Sequence, residues 1–209
     1  MNWKIKLDNI GAVALTLSHK KWYKRSPFET LLYLSQLLII NKKYNILPKD
    51  IKKLAARVTH VRICVGNDLY FSQNAPIAKI DNYTREQLIS WGRVYRDPTF
   101  TPTRCQEIAL YMKADDLCKD VKRRRYDYLQ LLSYGVNLLL WYMKPSWWGK
   151  EVIKTFNLPG GRGVCSSTNA DLLRETFERE FFEGYDTAMV FPFLVLISSN
   201  WSTDANSIQ

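Results

Sequence analysis

Two side chains in this sequence have the types needed for covalent acyl chemistry. Cys165 ends the run Gly160-Gly161-Arg162-Gly163-Val164-Cys165 and continues through Ser166-Ser167-Thr168 into a helix-like segment, 169–182. A cysteine at a helix start meets free backbone N–H groups and the positive end of the helix dipole, which stabilise a thiolate. The same N–H groups can hold a developing oxyanion. His60 opens the apolar stretch Thr59-His60-Val61-Arg62-Ile63-Cys64-Val65-Gly66, which reads as a strand. A thiol on a helix and an imidazole on a strand are the two halves of a cysteine-nucleophile site.

The elements that must position this pair follow from local signals. Residues 11–17 read as a short buried strand. Ser26-Pro27-Phe28-Glu29 is a capping box with proline at the first helical position; it opens a helix to about Asn41. Its apolar spacing points Phe28, Leu31, Leu32, Leu34, Leu37 and Leu38 inward. Pro48 starts a short basic helix to about Arg57. The strand 59–65, the turn Gly66-Asn67-Asp68 and the strand 69–73 form a β-hairpin, with 77–80 as a third strand. Thr84-Arg85-Glu86-Gln87 is another capping box and predicts a helix to about Tyr95. Residues 97–103 are a loop. Helices follow over 103–121 and 126–143, then an aromatic loop, Pro145-Ser146-Trp147-Trp148-Gly149, and a short helix over 150–156. No repeat or linker interrupts the 209 residues, so one α+β domain, with a small antiparallel sheet packed against helices, is the simplest account.

Bulk properties narrow the class. With 46% hydrophobic residues the chain is globular rather than disordered. The apolar runs 31–40, 138–143 and 189–197 are too short to span a bilayer, and no transmembrane segment is expected. The N-terminus lacks the apolar stretch of a secretory signal, so the chain is expected to be cytoplasmic as made. Four cysteines, Cys64, Cys105, Cys118 and Cys165, have no paired spacing and read as free thiols of a reducing compartment. Two histidines and no Cys-x-x-Cys give no basis for a metal site, and no cofactor is expected. The net charge of +10 is concentrated in the first sixty residues and in the basic run 122–125. Such a surface favours polyanions, including an anionic wall polymer, or is simply solvated. No nucleic-acid-binding motif surrounds it.

Three stretches carry a resemblance. Residues 59–72, from Thr59-His60 to Phe71-Ser72, are similar to the His-strand and hairpin of the circularly permuted NlpC/P60 group of papain-like cysteine hydrolases. This is the branch that holds the YiiX-like bacterial proteins and the lecithin–retinol acyltransferase relatives. Arg125-Tyr126-Asp127-Tyr128-Leu129 looks like that group's mid-chain Tyr-Asp motif, and Val164-Cys165-Ser166-Ser167 like its nucleophile motif. Gly11-Ala12-Val13-Ala14-Leu15 matches the opening strand, so the resemblance spans about 11–197. It implies a permuted papain-like fold over a single domain. It also implies a cysteine peptidase or amidase acting on peptidoglycan stem-peptide amides; the missing secretory signal would then suit delivery to the cell wall by a phage or a secretion system. The acyltransferase relatives imply instead a lipid acyl ester, amide or thioester, with 31–40 and 190–197 lining an acyl pocket.

The implied mechanism has His60 take the Cys165 proton while the thiolate attacks a carbonyl. The imidazolium then protonates the leaving amine, and water hydrolyses the acyl-enzyme. The family's third polar residue falls on Ser72, with Gln73 as the alternative, although Gln73 points to the opposite strand face. Arg62 stands where the family commonly has a small residue. By strand alternation it shares a face with His60 and Cys64. There it would favour a thiolate, contact an acidic substrate group or obstruct the cleft. Trp147 and Trp148 would stack on a substrate or pack against a partner. The bland alternatives are a buried structural thiol at Cys165, a satisfied core histidine at His60, and a binding or virion protein that keeps the fold without activity. Tyr126 and Asp127 fit a helix start. His19, in Ser18-His19-Lys20-Lys21, reads as a surface residue.

Overall fold

The computed structural model describes residues 10–20, 24–73, 76–96, 101–121, 165–178, 192–194 and 202–203. The run 122–125, Tyr126, Asp127, Trp147, Trp148 and the segment leading into Cys165 lie outside the described residues, so the expectations placed there are not addressed by it. Strand β1 (Val13–Leu17) is followed by helices α1 (Pro27–Lys43) and α2 (Lys49–Ala56). Then come strands β2 (Val58–Gly66), β3 (Leu69–Gln73) and β4 (Ala78–Asn82), helix α3 (Arg85–Trp91) and strand β5 (Gly92–Arg96). Helices α4 (Arg104–Lys119) and α5 (Cys165–Phe177) and the two-residue strand β6 (Ser202–Thr203) complete the order. The strands form one antiparallel sheet, β4-β3-β2-β1-β5-β6, and the architecture is α+β.

Local chemistry sets the element ends. At α1 the Ser26 hydroxyl accepts from the Glu29 N–H, and the Glu29 carboxylate accepts from the Ser26 N–H at 2.9 Å. Thr84 and Gln87 repeat the device at α3, and Thr103 and Gln106 at α4. The turn between β2 and β3 puts Asn67 and Asp68 at φ 50° and 58°. Two consecutive left-handed residues of these types make the tight hairpin turn that matches strand twist.

Strand alternation divides the core into two unequal halves. On one face, Val13, Leu15, Val61, Ile63, Val65 and Phe71 pack with residues of α1, α2, α4 and α5, including Ile40, Leu110 and Leu173. On the other, Ala12, Ala14, Cys64, Tyr70 and Val94 pack with Leu88 of α3, flanked by Tyr83 and Trp91.

Two sequence expectations are corrected. The helix opened by Thr84 stops at Trp91, and the residues expected to continue it form β5, paired with β1 from Val13↔Tyr95 to Thr16↔Gly92. Pairing with a strand far earlier in the chain overrides the local helical pattern there. In α1, Leu31 and Leu34 are 45% and 48% exposed, whereas Leu32, Ser35, Gln36, Ile39 and Ile40 are buried. That buried set follows i, i+3, i+4, i+7, i+8. Gln36 belongs to it because its amide donates to the carbonyls of Ala56 (3.2 Å) and Val58 (2.8 Å), tying α1 to the start of β2.

Candidate active site

Helix α5 begins at Cys165, as the sequence indicated, and packs on β2 and β3. Its point of attachment is Val61. In the β2–β3 ladder, Ile63 pairs with Phe71 and Cys64 with Tyr70, and paired register ends at Ile63. Continued, it would set Val61 opposite Gln73. The Val61 carbonyl instead accepts a 3.1 Å hydrogen bond from the Asn169 side chain. The Val61 backbone, on the same strand edge, favours the thiolate of Cys165. The first turn of α5 thus takes over the strand edge that β3 leaves, and it does so at the residue next to His60. Cys165 and Asn169 are four apart, one above the other on a helix face. Sequence reasoning missed Asn169; its i+4 spacing from Cys165 was the available signal.

Cys165 is 5% exposed. Burial pushes its thiol up to about 11, against the N–H groups of Val61, Ser166 and Cys165 itself and the charge of Arg62, all of which favour the thiolate. The helix-start stabilisation anticipated from the sequence is present, but desolvation outweighs it. The resting side chain is a thiol.

His60 is partly buried, and its Nε2 is fully buried with no hydrogen-bond partner among the described residues. Burial lowers the imidazole to about 3, helped by the charges of Arg62 and Lys79. The resting ring is neutral, and Cys165 is not among the groups acting on it. Ser72 and Gln73 are both fully buried. Alternation sets Ser72 on the face of His60, Arg62, Cys64 and Tyr70, and Gln73 on the face of Phe71, in agreement with the sequence reading. Neither one holds His60 through Nε2.

Arg62 shares the His60 face as expected. It donates to the Thr16 hydroxyl, and its guanidinium lies 5.3 Å from the Tyr83 ring centroid and 5.2 Å from that of Trp91. These rings meet edge to face, with centroids 5.2 Å apart. The aromatic pair flanks the cation, whose charge acts on both His60 and Cys165. Cys64 is buried in the smaller core half, and His19 is exposed, its Nδ1 2.7 Å from Arg57. All four cysteines are free. Among the described residues no cluster of His, Cys, Asp or Glu is arranged to hold a metal, and no helix is long and apolar enough to cross a membrane.

Chemically, the arrangement supplies a thiol at the first residue of α5, with the backbone of Val61, Ser166 and Cys165 favouring its thiolate, and a neutral imidazole on the strand residue next to Val61. Comparison of the chain with protein-family models, with curated proteins and with solved structures gave no match.

Proposed function

We propose that this protein is a cysteine hydrolase of the permuted NlpC/P60, papain-like kind, cleaving an amide through Cys165 and His60. The observation that carries the proposal is the attachment of α5 at Val61, the chain neighbour of His60: the Asn169 side chain donates to the Val61 carbonyl at 3.1 Å, one helical turn from Cys165. With both groups uncharged at rest, the reaction starts by general-base transfer. His60 turns toward the sulfur and takes the thiol proton as the sulfur bonds to the carbonyl carbon. The N–H groups of Cys165 and Ser166 serve the oxyanion. The imidazolium returns its proton to the amine as the C–N bond breaks, and water then releases the acid and restores the thiol. The resemblance supplies the substrate class, peptidoglycan stem-peptide amides, and the basic N-terminal region suits an anionic wall. The test is release of new amino groups from isolated peptidoglycan by the full chain, lost in Cys165→Ala and His60→Ala and kept in Cys64→Ser. Fatty-acid release from lipid in its place would move the substrate to an acyl ester or amide.

One observation favours a second reading, a binding protein that keeps this architecture without catalysis. The thiol and imidazole are both shifted away from the charged forms that an ion-paired nucleophile needs. Absence of hydrolysis on both substrate classes, with a Cys165 thiol as slow toward alkylating agents in His60→Ala as in the parent, would establish it.

A further inference from the structure

The corner between α1 and α2 carries the most exposed large apolar side chain among the described residues. Ile46 is 92% exposed, against 58% for Met112 and Val121, the next in order. The Leu47 N–H donates to the Tyr44 carbonyl at 3.1 Å and closes a turn whose two central residues are Asn45 and Ile46. Ile46 therefore stands at the tip, with Pro48 exposed and Leu47 partly exposed behind it. A single exposed apolar residue is ordinary on a protein surface. Its surroundings here are not.

Lysines flank the tip. Between residues 41 and 57 the sequence has Lys42, Lys43, Lys49, Lys52, Lys53 and Arg57, and Asp50 is the only acid. In α2, Leu54 and Ala55 face the core. Lys49, Lys52 and Lys53, spaced i, i+3 and i+4, share the opposite face. Lys49 and Lys53 are exposed. The Lys52 ammonium donates to the Asn45 carbonyl at 2.7 Å, which fixes a cation at the turn itself. Arg57 is engaged elsewhere, with the Ser18 carbonyl and His19.

Two chemistries thus meet at one corner, positive charge on a helix face and an aliphatic side chain at the tip. A soluble polyanion offers phosphates or carboxylates to the lysines but nothing apolar to Ile46. An anionic bilayer offers both, charge at its headgroups and hydrocarbon beneath them. We infer that the α1–α2 corner docks on a bilayer surface rich in anionic lipid, with Ile46 inserted among the acyl chains and Lys49, Lys52 and Lys53 on the headgroups. The apolar face of α2 is already packed in the core, so the helix rides above the surface and the contact is peripheral and reversible. It requires neither Cys165 nor His60.

The test sediments the full chain with vesicles of phosphatidylcholine alone and of phosphatidylcholine mixed with phosphatidylglycerol. The chain should bind the mixed vesicles in preference to the neutral ones and leave them in high salt. Lys49→Gln combined with Lys53→Gln should weaken binding by roughly twentyfold, about fivefold for each lysine. Ile46→Ser should weaken it by about tenfold on the same vesicles. Ile46→Trp should strengthen it, because an indole favours the membrane interface. An unaltered urea midpoint in each variant reports an intact fold. Lys20→Gln combined with Lys24→Gln is the charge-matched control. Both lysines precede α1, whose 17 residues set them about 25 Å from the corner at helix rise, and their loss should change binding far less. Equal binding to the two vesicles would overturn the inference. So would binding indifferent to both Ile46 substitutions, which would leave a soluble polyanion as the occupant, and so would an equal loss in the control pair, which would assign the attraction to net charge.

Discussion

Asn169 donates its side-chain N–H to the carbonyl of Val61 across 3.1 Å, and the backbone of that same residue favours the thiolate of Cys165, one helical turn earlier. The first turn of α5 is therefore anchored to one strand residue, at the place where the β2–β3 ladder ends.

Asn169→Ala removes the donor and strands a buried carbonyl. The expected cost is about 1–3 kcal/mol, the penalty of an unsatisfied buried group, measured by urea unfolding. The same variant should change the alkylation rate of Cys165, because the sulfur loses its register against Val61. A stability change below a few tenths of a kcal/mol would show that α5 is not anchored there.

Arg62 acts on both candidate catalytic groups in the same direction. Its charge lowers the Cys165 thiol and lowers the His60 imidazole. Arg62→Gln should therefore raise both, making the thiol harder to ionise and the ring easier to protonate. In a protein with Cys64, Cys105 and Cys118 replaced by Ser, the pH at which Cys165 alkylation is half-maximal should already lie near 11 and should move higher in Arg62→Gln. A half-maximum at pH 8 or below in the parent would mean that the thiolate is held by something other than the groups described.

Acid stability carries a separate signature of His60. Its folded value of about 3 lies below the ordinary 6.5, so between these pH values the unfolded chain binds a proton that the folded chain does not. Stability from this group is complete above about pH 6.5 and is lost progressively as pH falls toward 3. His60→Gln should flatten that limb of the stability–pH curve. In His19→Gln, where His60 is the only histidine, its ring proton signals should stay fixed from pH 8 down to 5. A titration near pH 6.5 would place the ring in water.

What could be read ahead of the structure was local. Ser26, Thr84, Asn67 and Asp68 act through partners three residues away or less, so their capping boxes and turn were legible. So was Cys165 at a helix start, since the change from glycine-rich to helical pattern marks it. The inward face of α1 was not, because leucines stand on almost every side of that helix and the polar Gln36 is among its buried residues. The state of the thiol was not legible either. The stabilising N–H groups come with any helix start, but the burial that overrides them depends on β2, β3 and α5 closing around one point.

The strand β5 is the clearest case of a distant partner deciding local structure, and Gly92 is the residue that permits it. Its φ of 172° is ordinary extended backbone, so conformational freedom is not what the position needs. It needs space. A Cβ at Gly92 would lie 1.9 Å from the Leu15 carbonyl oxygen and 2.9 Å from its carbon, both backbone atoms within β1. No side-chain adjustment relieves that overlap, so Gly92→Ala must push β5 off β1. We expect a loss of at least about 3 kcal/mol, the range of strongly disruptive substitutions, with faster hydrogen exchange at Leu15 and Val94. Gly66→Ala is the matched control. Its added Cβ meets only the Ile10 side chain at 3.6 Å, but its φ of +118° disfavours any other residue, for a cost of about 1–3 kcal/mol with β1–β5 exchange unaltered. If Gly92→Ala unfolds within about 1 kcal/mol of the parent, β5 does not approach β1 as closely as described, and the helix opened by Thr84 extends beyond Trp91 as its sequence suggests.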